Sequence, residues 1–129
     1  MAKRKILIID DEKGFAQLVK LNLESTGCYE VQVELKGSLG LETARTSKPD
    51  LILLDVMMPD MVGGEVARRL KADQDTKHIP VVFLTATVLQ EAARSAGVGR
   101  ITADIYIAKP ASIDEIIKCI EQNISTGNK

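Results

Sequence analysis

Acidic, hydroxyl and cationic side chains stand directly after short apolar segments of this sequence. In KILIIDDE, residues 5–12, an apolar run ends at two adjacent carboxylates, Asp10 and Asp11. Adjacent carboxylates repel one another, and each resists losing its water. Three later segments, DLILLD, IPVVFLT and DIYIAK, end in the same manner at Asp55, Thr85 and Lys109. The pattern indicates either solvated strand ends or a site that holds a cation.

Brought into one site, these side chains would suit a divalent metal ion and a phosphoryl group. Three crowded carboxylates need a counter-charge, and Lys109 alone would not supply enough of it. Hard oxygen ligands without sulfur or imidazole favour Mg²⁺ over zinc. A cation, an ammonium group and a hydroxyl together can hold a phosphoryl group. The carboxylate of Asp55 would then be the nucleophile, as in aspartyl-phosphate chemistry.

Alternating strand and helix patterns place these residues in an α/β fold of the (βα)5 type. Strands that are apolar almost throughout are buried on both faces, which is typical of a parallel sheet. Right-handed crossovers then put helices on both sides of a doubly wound sheet. Ligands bind at the carboxyl ends of such strands, where the acids stand. The five strands are expected at residues 6–9, 31–35, 51–54, 81–84 and 105–107, with 31–35 alternating as an edge strand would.

Helical periodicity falls between the predicted strands. Phe15, Leu18, Val19 and Leu23 are spaced as one face of a first helix, which Gly27 would end. The last helix has the clearest stripe, with Ser112 and Glu115 as its capping box. Helices are expected around residues 41–44, 66–70, 90–96 and 113–124, the one around 90–96 being weakly patterned.

The composition predicts one domain, residues 1–129, with enough hydrophobic residues for a core (45%). Seventeen basic and 18 acidic residues give a net charge of −1, which does not favour direct nucleic-acid binding or an anionic membrane surface. No signal peptide or membrane span is predicted, and the cytoplasm is the expected compartment. Cys28 and Cys119 are too far apart for a redox or metal motif, so both are expected to be buried free thiols.

Four motifs in order and spacing resemble the receiver domain of two-component response regulators. They are IIDDE, LILLDVMMPDMVGGE, VVFLTA and YIAKP, and each lies at the end of a predicted strand. The resemblance covers essentially the whole chain. It implies a flavodoxin-like fold, with a five-stranded parallel sheet of strand order 2-1-3-4-5.

The resemblance also implies a role for individual residues. Asp55 matches the phosphoacceptor, and Lys109 its ion-pair partner. Thr85 matches the hydroxyl that moves to the phosphoryl group, and Tyr106 the aromatic switch residue. Asp10, Asp11 and the backbone carbonyl of Met57 match the Mg²⁺ ligands that act beside Asp55. Pro59 and Gly63 match the loop after the acceptor, and Lys109–Pro110 matches a peptide that is usually cis in the family.

The implied function is a phosphorylation-controlled signalling switch. A histidine kinase or phosphotransfer protein would supply the phosphoryl group. The domain would catalyse only its own phosphorylation and slow dephosphorylation, and would not be an enzyme in the wider sense. Its output surface would be the fourth predicted helix (around residues 90–96), the fifth strand (105–107) and the fifth helix (113–124). This surface would control a downstream protein or pair with a second copy.

Two other functions fit parts of the pattern. A Mg²⁺-dependent aspartyl-phosphate phosphatase would need an acid two residues after the nucleophile, where this chain has Met57. A flavodoxin-like electron carrier would need a phosphate loop after the first strand, where Asp10, Asp11 and Glu12 would repel a phosphate. The sequence leaves open whether the chain is a stand-alone receiver or a fragment of a larger response regulator or hybrid kinase.

Overall fold

A five-stranded parallel sheet forms the centre of the described part of the chain. The computed structural model describes residues 3–56, 58–86, 105–109 and 113–127. The sheet order is β2-β1-β3-β4-β5, which confirms the predicted flavodoxin-like order 2-1-3-4-5. All four strand pairs are parallel. The strands are β1 (Arg4–Ile9), β2 (Tyr29–Glu34), β3 (Leu51–Asp55), β4 (Val81–Ala86) and β5 (Ile105–Lys109).

Helices connect the strands on both faces of the sheet. Those in the described residues are α1 (Lys13–Ser25), α2 (Gly40–Ser47), α3 (Gly63–Ala72) and α4 (Ile113–Gly127), and a 3-10 turn, Gly37–Leu39, precedes α2. The helix predicted around residues 90–96 and the capping residue Ser112 lie outside the described residues. Within the described part of the chain, no helix combines the length and apolar character needed to cross a membrane.

Two hydrophobic clusters hold the helices against the sheet. Successive residues of a strand point to opposite faces, so each central strand contributes to both clusters. Burial of these side chains is the main source of stability in such a sandwich. One cluster joins α1 and α4 to Ile6, Ile8 and Leu53, and the other joins α2 and α3 to Leu7, Ile9, Ile52 and Leu54.

The first helix is placed as predicted, except for one of its apolar residues. Gly27 has a φ of +81° just beyond the helix, a conformation that glycine adopts without strain. Val19 and Leu23 are buried, but Leu18 is 56% exposed. A one-residue step turns a helix by about 100°, so Leu18 lies beside the buried stripe rather than within it.

The prediction that both cysteines are buried is wrong for Cys28. Cys28 is exposed, whereas Cys119 in α4 is partly buried, and both are free thiols. Cys28 follows Gly27 in the turn between α1 and β2, where its backbone N–H donates to the hydroxyl of Thr26. A position in a surface turn does not bury a small side chain, whatever its hydrophobicity.

The outer edge of the sheet is partly covered by α1. The backbone N–H of Val31 in β2 donates to the carboxylate of Glu24 at 3.0 Å. The ammonium group of Lys20 donates to the carbonyl of Val31 at 2.9 Å and pairs with Glu24 at 3.0 Å. One turn of helix thereby satisfies both backbone groups of an edge residue, which a neighbouring strand would otherwise bind.

Candidate metal-binding site at the carboxyl edge of the sheet

Three aspartates meet at the carboxyl edge of the sheet. Asp10 and Asp11 follow β1, and Asp55 is the last residue of the adjacent strand β3. One carboxylate oxygen from each lies within 4.8 Å of the others. The structure therefore brings together the three acids that the sequence singled out, two of them buried and Asp11 exposed.

Backbone hydrogen bonds fix the position of Asp10. Its N–H donates to the carbonyl of Glu34 at the end of β2, at 3.0 Å. Its carboxylate accepts the N–H of Glu12 at 2.9 Å, the local turn that aspartate commonly makes with the residue two positions on. The side chain is fully buried. These contacts hold its carboxylate at the strand end instead of letting it turn out to solvent.

Asp55 directly precedes a tightly built connection between β3 and α3. The N–H of Val56 donates to the carbonyl of Leu84 in β4 at 3.0 Å, and the N–H of Gly63 donates to the carbonyl of Val56 at 2.8 Å. A Cβ atom on Gly63 would lie 2.3 Å from the carbonyl oxygen of Asp55. Only glycine permits this approach of the first turn of α3 to the backbone of the acidic residue.

For three of the other predicted site residues the structure gives the backbone position, and two lie outside the described residues. Thr85 and Lys109 lie in β4 and β5, one register step apart, since Thr85 pairs with Ala108 and Ala86 with Lys109. Both strands run parallel to β3, so these residues lie towards the edge that carries the acids. Tyr106 pairs with Phe83 nearer the middle of the strands. Met57 and Pro110 lie outside the described residues, and the roles of all five stay predictions.

The three carboxylates fit a hard divalent cation. Two of them are almost fully buried, Asp10 at 0% and Asp55 at 5% exposure, where like charges a few ångströms apart repel strongly. An oxygen-only donor set of this kind matches the preferences of Mg²⁺ and does not match those of zinc or copper. With Asp11 exposed beside them, the cluster is open to solvent on one side, as Mg²⁺ sites that retain water ligands are.

Sequence reasoning did not find the contacts that brace this site. The carbonyl of Glu34 receives the N–H of Asp10, and the carboxylate of Asp60 receives N–H groups from the turn before α2. The Pro59–Asp60 pair indicates a turn. Nothing local in the sequence shows which distant backbone groups Asp60 would bind.

The chain is similar in sequence to known response regulators. The family model of the response regulator receiver domain matches residues 6–121. The chain is 40% identical over 114 residues to the DNA-binding dual master transcriptional regulator RpaA of Synechocystis sp., covering 88% of this chain and 46% of RpaA. It thus spans about half the length of that relative. It is also 33% identical to the polar-differentiation response regulator DivK of Brucella anthropi, over 92% of this chain and 94% of DivK.

Solved structures agree with this assignment. A Francisella response regulator receiver domain superposes with a TM-score of 0.80 at 29% identity, covering 96% of this chain and 98% of that one. The receiver domain of a sensor histidine kinase from Pseudomonas aeruginosa PAO1 gives a TM-score of 0.81 at 26% identity, covering 96% and 99%. Its crystal structure has a magnesium ion coordinated in the active site cleft. The chain belongs to the response regulator receiver domain family.

Proposed function

We propose that this receiver domain is a signalling switch that accepts a phosphoryl group on Asp55. The observation that carries the proposal is the cluster of Asp10, Asp11 and Asp55, whose carboxylate oxygens lie within 4.8 Å of one another. A buried carboxylate at a strand end, next to two others, is suited to hold a cation and to act as a nucleophile. The family membership supports a phosphorylation-controlled role.

The reaction is a phosphoryl transfer to a carboxylate. An oxygen of Asp55 attacks the phosphorus of a phosphohistidine on a histidine kinase or phosphotransfer protein. The new O–P bond forms as the N–P bond breaks, and the released imidazole nitrogen keeps the electron pair of that bond and takes up a proton. Attack by water on the same phosphorus later releases inorganic phosphate and restores the carboxylate. The domain would catalyse no reaction besides these two.

Asp10, Asp11, Asp55 and the backbone carbonyl of Met57 would hold Mg²⁺. When bound, Mg²⁺ offsets the negative charge of the carboxylates and of the phosphoryl oxygens. Lys109 would add a second positive charge from β5, where its ammonium group could pair with the phosphoryl group. The N–H of Asp10 donates to the carbonyl of Glu34, so Asp10 is held in place before the cation arrives.

The output would be a change of surface rather than a product. Thr85 stands one residue beyond Leu84, the register partner of Asp55, so its hydroxyl is a candidate to bond the phosphoryl group. Tyr106 on the neighbouring β5 would respond to that movement. The affected surface would comprise the predicted helix at residues 90–96, β5 and α4. A downstream protein, or a second copy of the domain, would bind it in the cytoplasm according to its differential affinity for the two states.

The central experiment is labelling with a small acyl-phosphate donor in the presence of Mg²⁺. Intact-protein mass spectrometry should show one added phosphoryl group on the wild type and none on Asp55→Asn. Asp50→Ala removes an exposed acid near the start of the same strand and should be labelled as the wild type is. Equal labelling of wild type and Asp55→Asn would refute the assignment of Asp55.

The output surface can be tested by NMR with beryllofluoride and Mg²⁺. Apart from the loops at the site, the largest amide shifts should fall within residues 86–124. They should be smaller in Thr85→Ala. Shifts centred on α1 and α2, or undiminished in the variant, would contradict the proposed route.

A further inference from the structure

The connection that follows Asp55 is held at its far end by a second carboxylate. Asp60 accepts the N–H of Gly37 through one oxygen at 3.2 Å and the N–H of Ser38 through the other at 3.0 Å. The donors lie 22 and 23 positions earlier in the chain, in the 3-10 turn before α2. Asp60 therefore joins two connections that leave the same edge of the sheet.

The two connections are also in close steric contact. A Cβ atom on Gly37 would lie 3.0 Å from the terminal methyl carbon of Met58 and 3.0 Å from the carbonyl oxygen of Met61. The absence of a side chain at Gly37 thus lets the 3-10 turn approach the connection on both sides of Asp60. The backbone hydrogen bond from Ser38 lowers the pKa of Asp60 below its ordinary value, so the carboxylate stays ionised and accepting at neutral pH.

The β2–α2 connection, whose N–H groups donate to Asp60, is itself bonded to Asp10. The carbonyl of Glu34 accepts the N–H of Asp10 at 3.0 Å. The carboxylate of Glu34 accepts the N–H of Lys36 at 3.2 Å and the hydroxyl of Thr43 in α2 at 2.7 Å. A continuous path of backbone and carboxylate contacts therefore runs from Asp10, through the β2–α2 connection and Asp60, to the residues that follow Asp55.

We infer that Asp60 is a positioning residue for metal binding and phosphoryl acceptance. It holds the connection between Asp55 and α3 at its tip, while the backbone bonds of Val56 and Gly63 hold its base. The inference rests on the proposed function, because it assigns Asp60 to the same site. Asp60 acts through the backbone of this connection and does not act as a ligand or a nucleophile.

Three variants separate positioning from a general charge effect. Asp60→Ala removes both hydrogen bonds and the charge, whereas Asp60→Asn removes the charge but keeps one acceptor oxygen. Asp50→Ala is the matched control, because Asp50 accepts one backbone N–H, from Lys5 at 2.7 Å, near the opposite ends of the strands. Calorimetry gives the Kd for Mg²⁺, and a thermal melt of each protein reports folding.

Asp60→Ala should bind Mg²⁺ about tenfold more weakly, the size of effect that outer partners of a metal site commonly have. It should be labelled more slowly by the acyl phosphate at subsaturating Mg²⁺. Asp60→Asn should recover a clear part of this loss, and Asp50→Ala should bind Mg²⁺ as the wild type does.

Unchanged Mg²⁺ affinity in Asp60→Ala would overturn the inference. Equal losses of Mg²⁺ affinity in Asp60→Ala and Asp60→Asn would overturn it too, because the loss would then come from the charge alone. If Asp60→Ala does not fold, Ser38→Pro provides the test, because it removes the N–H and the hydroxyl of Ser38 and keeps Asp60. Unchanged Mg²⁺ affinity in Ser38→Pro would again overturn the inference. Ser38 is the second residue of the 3-10 turn, and its N–H donates to Asp60, so proline there removes no hydrogen bond within the turn. Absence of labelling on wild-type Asp55 would instead refute the proposed function, while the Mg²⁺ measurement would still decide the role of Asp60.

Discussion

Substitution of Gly63 by alanine should damage the fold next to Asp55, while the same change at Gly64 should not. The two glycines are consecutive residues at the start of α3. A Cβ on Gly63 would lie 2.3 Å from the carbonyl oxygen of Asp55 and 2.9 Å from the Cα of Val56. A Cβ on Gly64 would have no atom within 4 Å. The two positions therefore differ in the space available for a side chain, although both lie in the first turn of α3.

The expected magnitudes follow from those contacts. Overpacking costs about 1–3 kcal/mol where side chains can yield, and here the opposing atoms belong to the backbone. Relief of the overlap would also lengthen the 2.8 Å hydrogen bond between Gly63 and Val56, a loss of about 1 kcal/mol. Gly63→Ala should thus lower the free energy of unfolding by about 2–4 kcal/mol. Gly64→Ala should raise it by up to about 1 kcal/mol, because alanine has less backbone freedom to lose.

Urea unfolding of the two variants and the wild type would measure both effects. At about 4 °C per kcal/mol for a domain of this size, Gly63→Ala should melt about 8–16 °C below the wild type. Its Mg²⁺-dependent labelling should fall as well, because any relief moves the backbone of Asp55. If the two variants differ by less than about 1 kcal/mol in the free energy of unfolding, the steric reasoning is wrong.

Other substitutions test the core, the pH dependence and the acid cluster. Leu54→Ala, at a fully buried position in β3, should cost about 2–5 kcal/mol, whereas Leu21→Ala, at 66% exposure, should change stability by less than about 0.5 kcal/mol in urea unfolding. Hydrogen bonds from two arginines of α3 lower the pKa of Glu65 from 4.5 to about 2. The charged Glu65 therefore stabilises the folded state above pH 4.5, and this stabilisation is lost as the pH falls towards 2. In thermal melts, Glu65→Gln should be less stable than the wild type at pH 7 but not at pH 2. Asp11→Ala should weaken Mg²⁺ binding measured by calorimetry and raise the metal-free melting temperature, because it removes one of three like charges.

The sheet could be predicted from the sequence because each strand carries its own local signal. The run at residues 51–54 is apolar on both faces, and all four residues are fully buried in β3. The acids were predictable for a related reason, since strand ends in a parallel sheet meet at one edge. At Asp10 and Asp55 the end of the apolar run in the sequence is also the end of the strand in the fold.

Features that depend on contact between distant segments could not be predicted. Leu18 has the hydrophobicity of a core residue, but the face of α1 that packs on the sheet carries Ala16, Val19 and Leu23 and leaves Leu18 exposed. Asp60 resembles any acid in a turn until the 3-10 turn at Gly37 is placed beside it. The exposure of Cys28 is likewise set by its place in the turn between α1 and β2 and not by its own hydrophobicity.

The hydrogen bonds that Lys20 and Glu24 make to Val31 affect how this protein can meet other chains. An extended segment adding to the free side of β2 would have to displace an ammonium group and a carboxylate from the middle of that strand. The obstacle is ionic, and the bond to Val31 lowers the pKa of Glu24, so it persists at neutral pH and weakens only in acid. Self-assembly by addition of a strand at the β2 edge, the route that leads edge strands into aggregates, is therefore disfavoured at neutral pH.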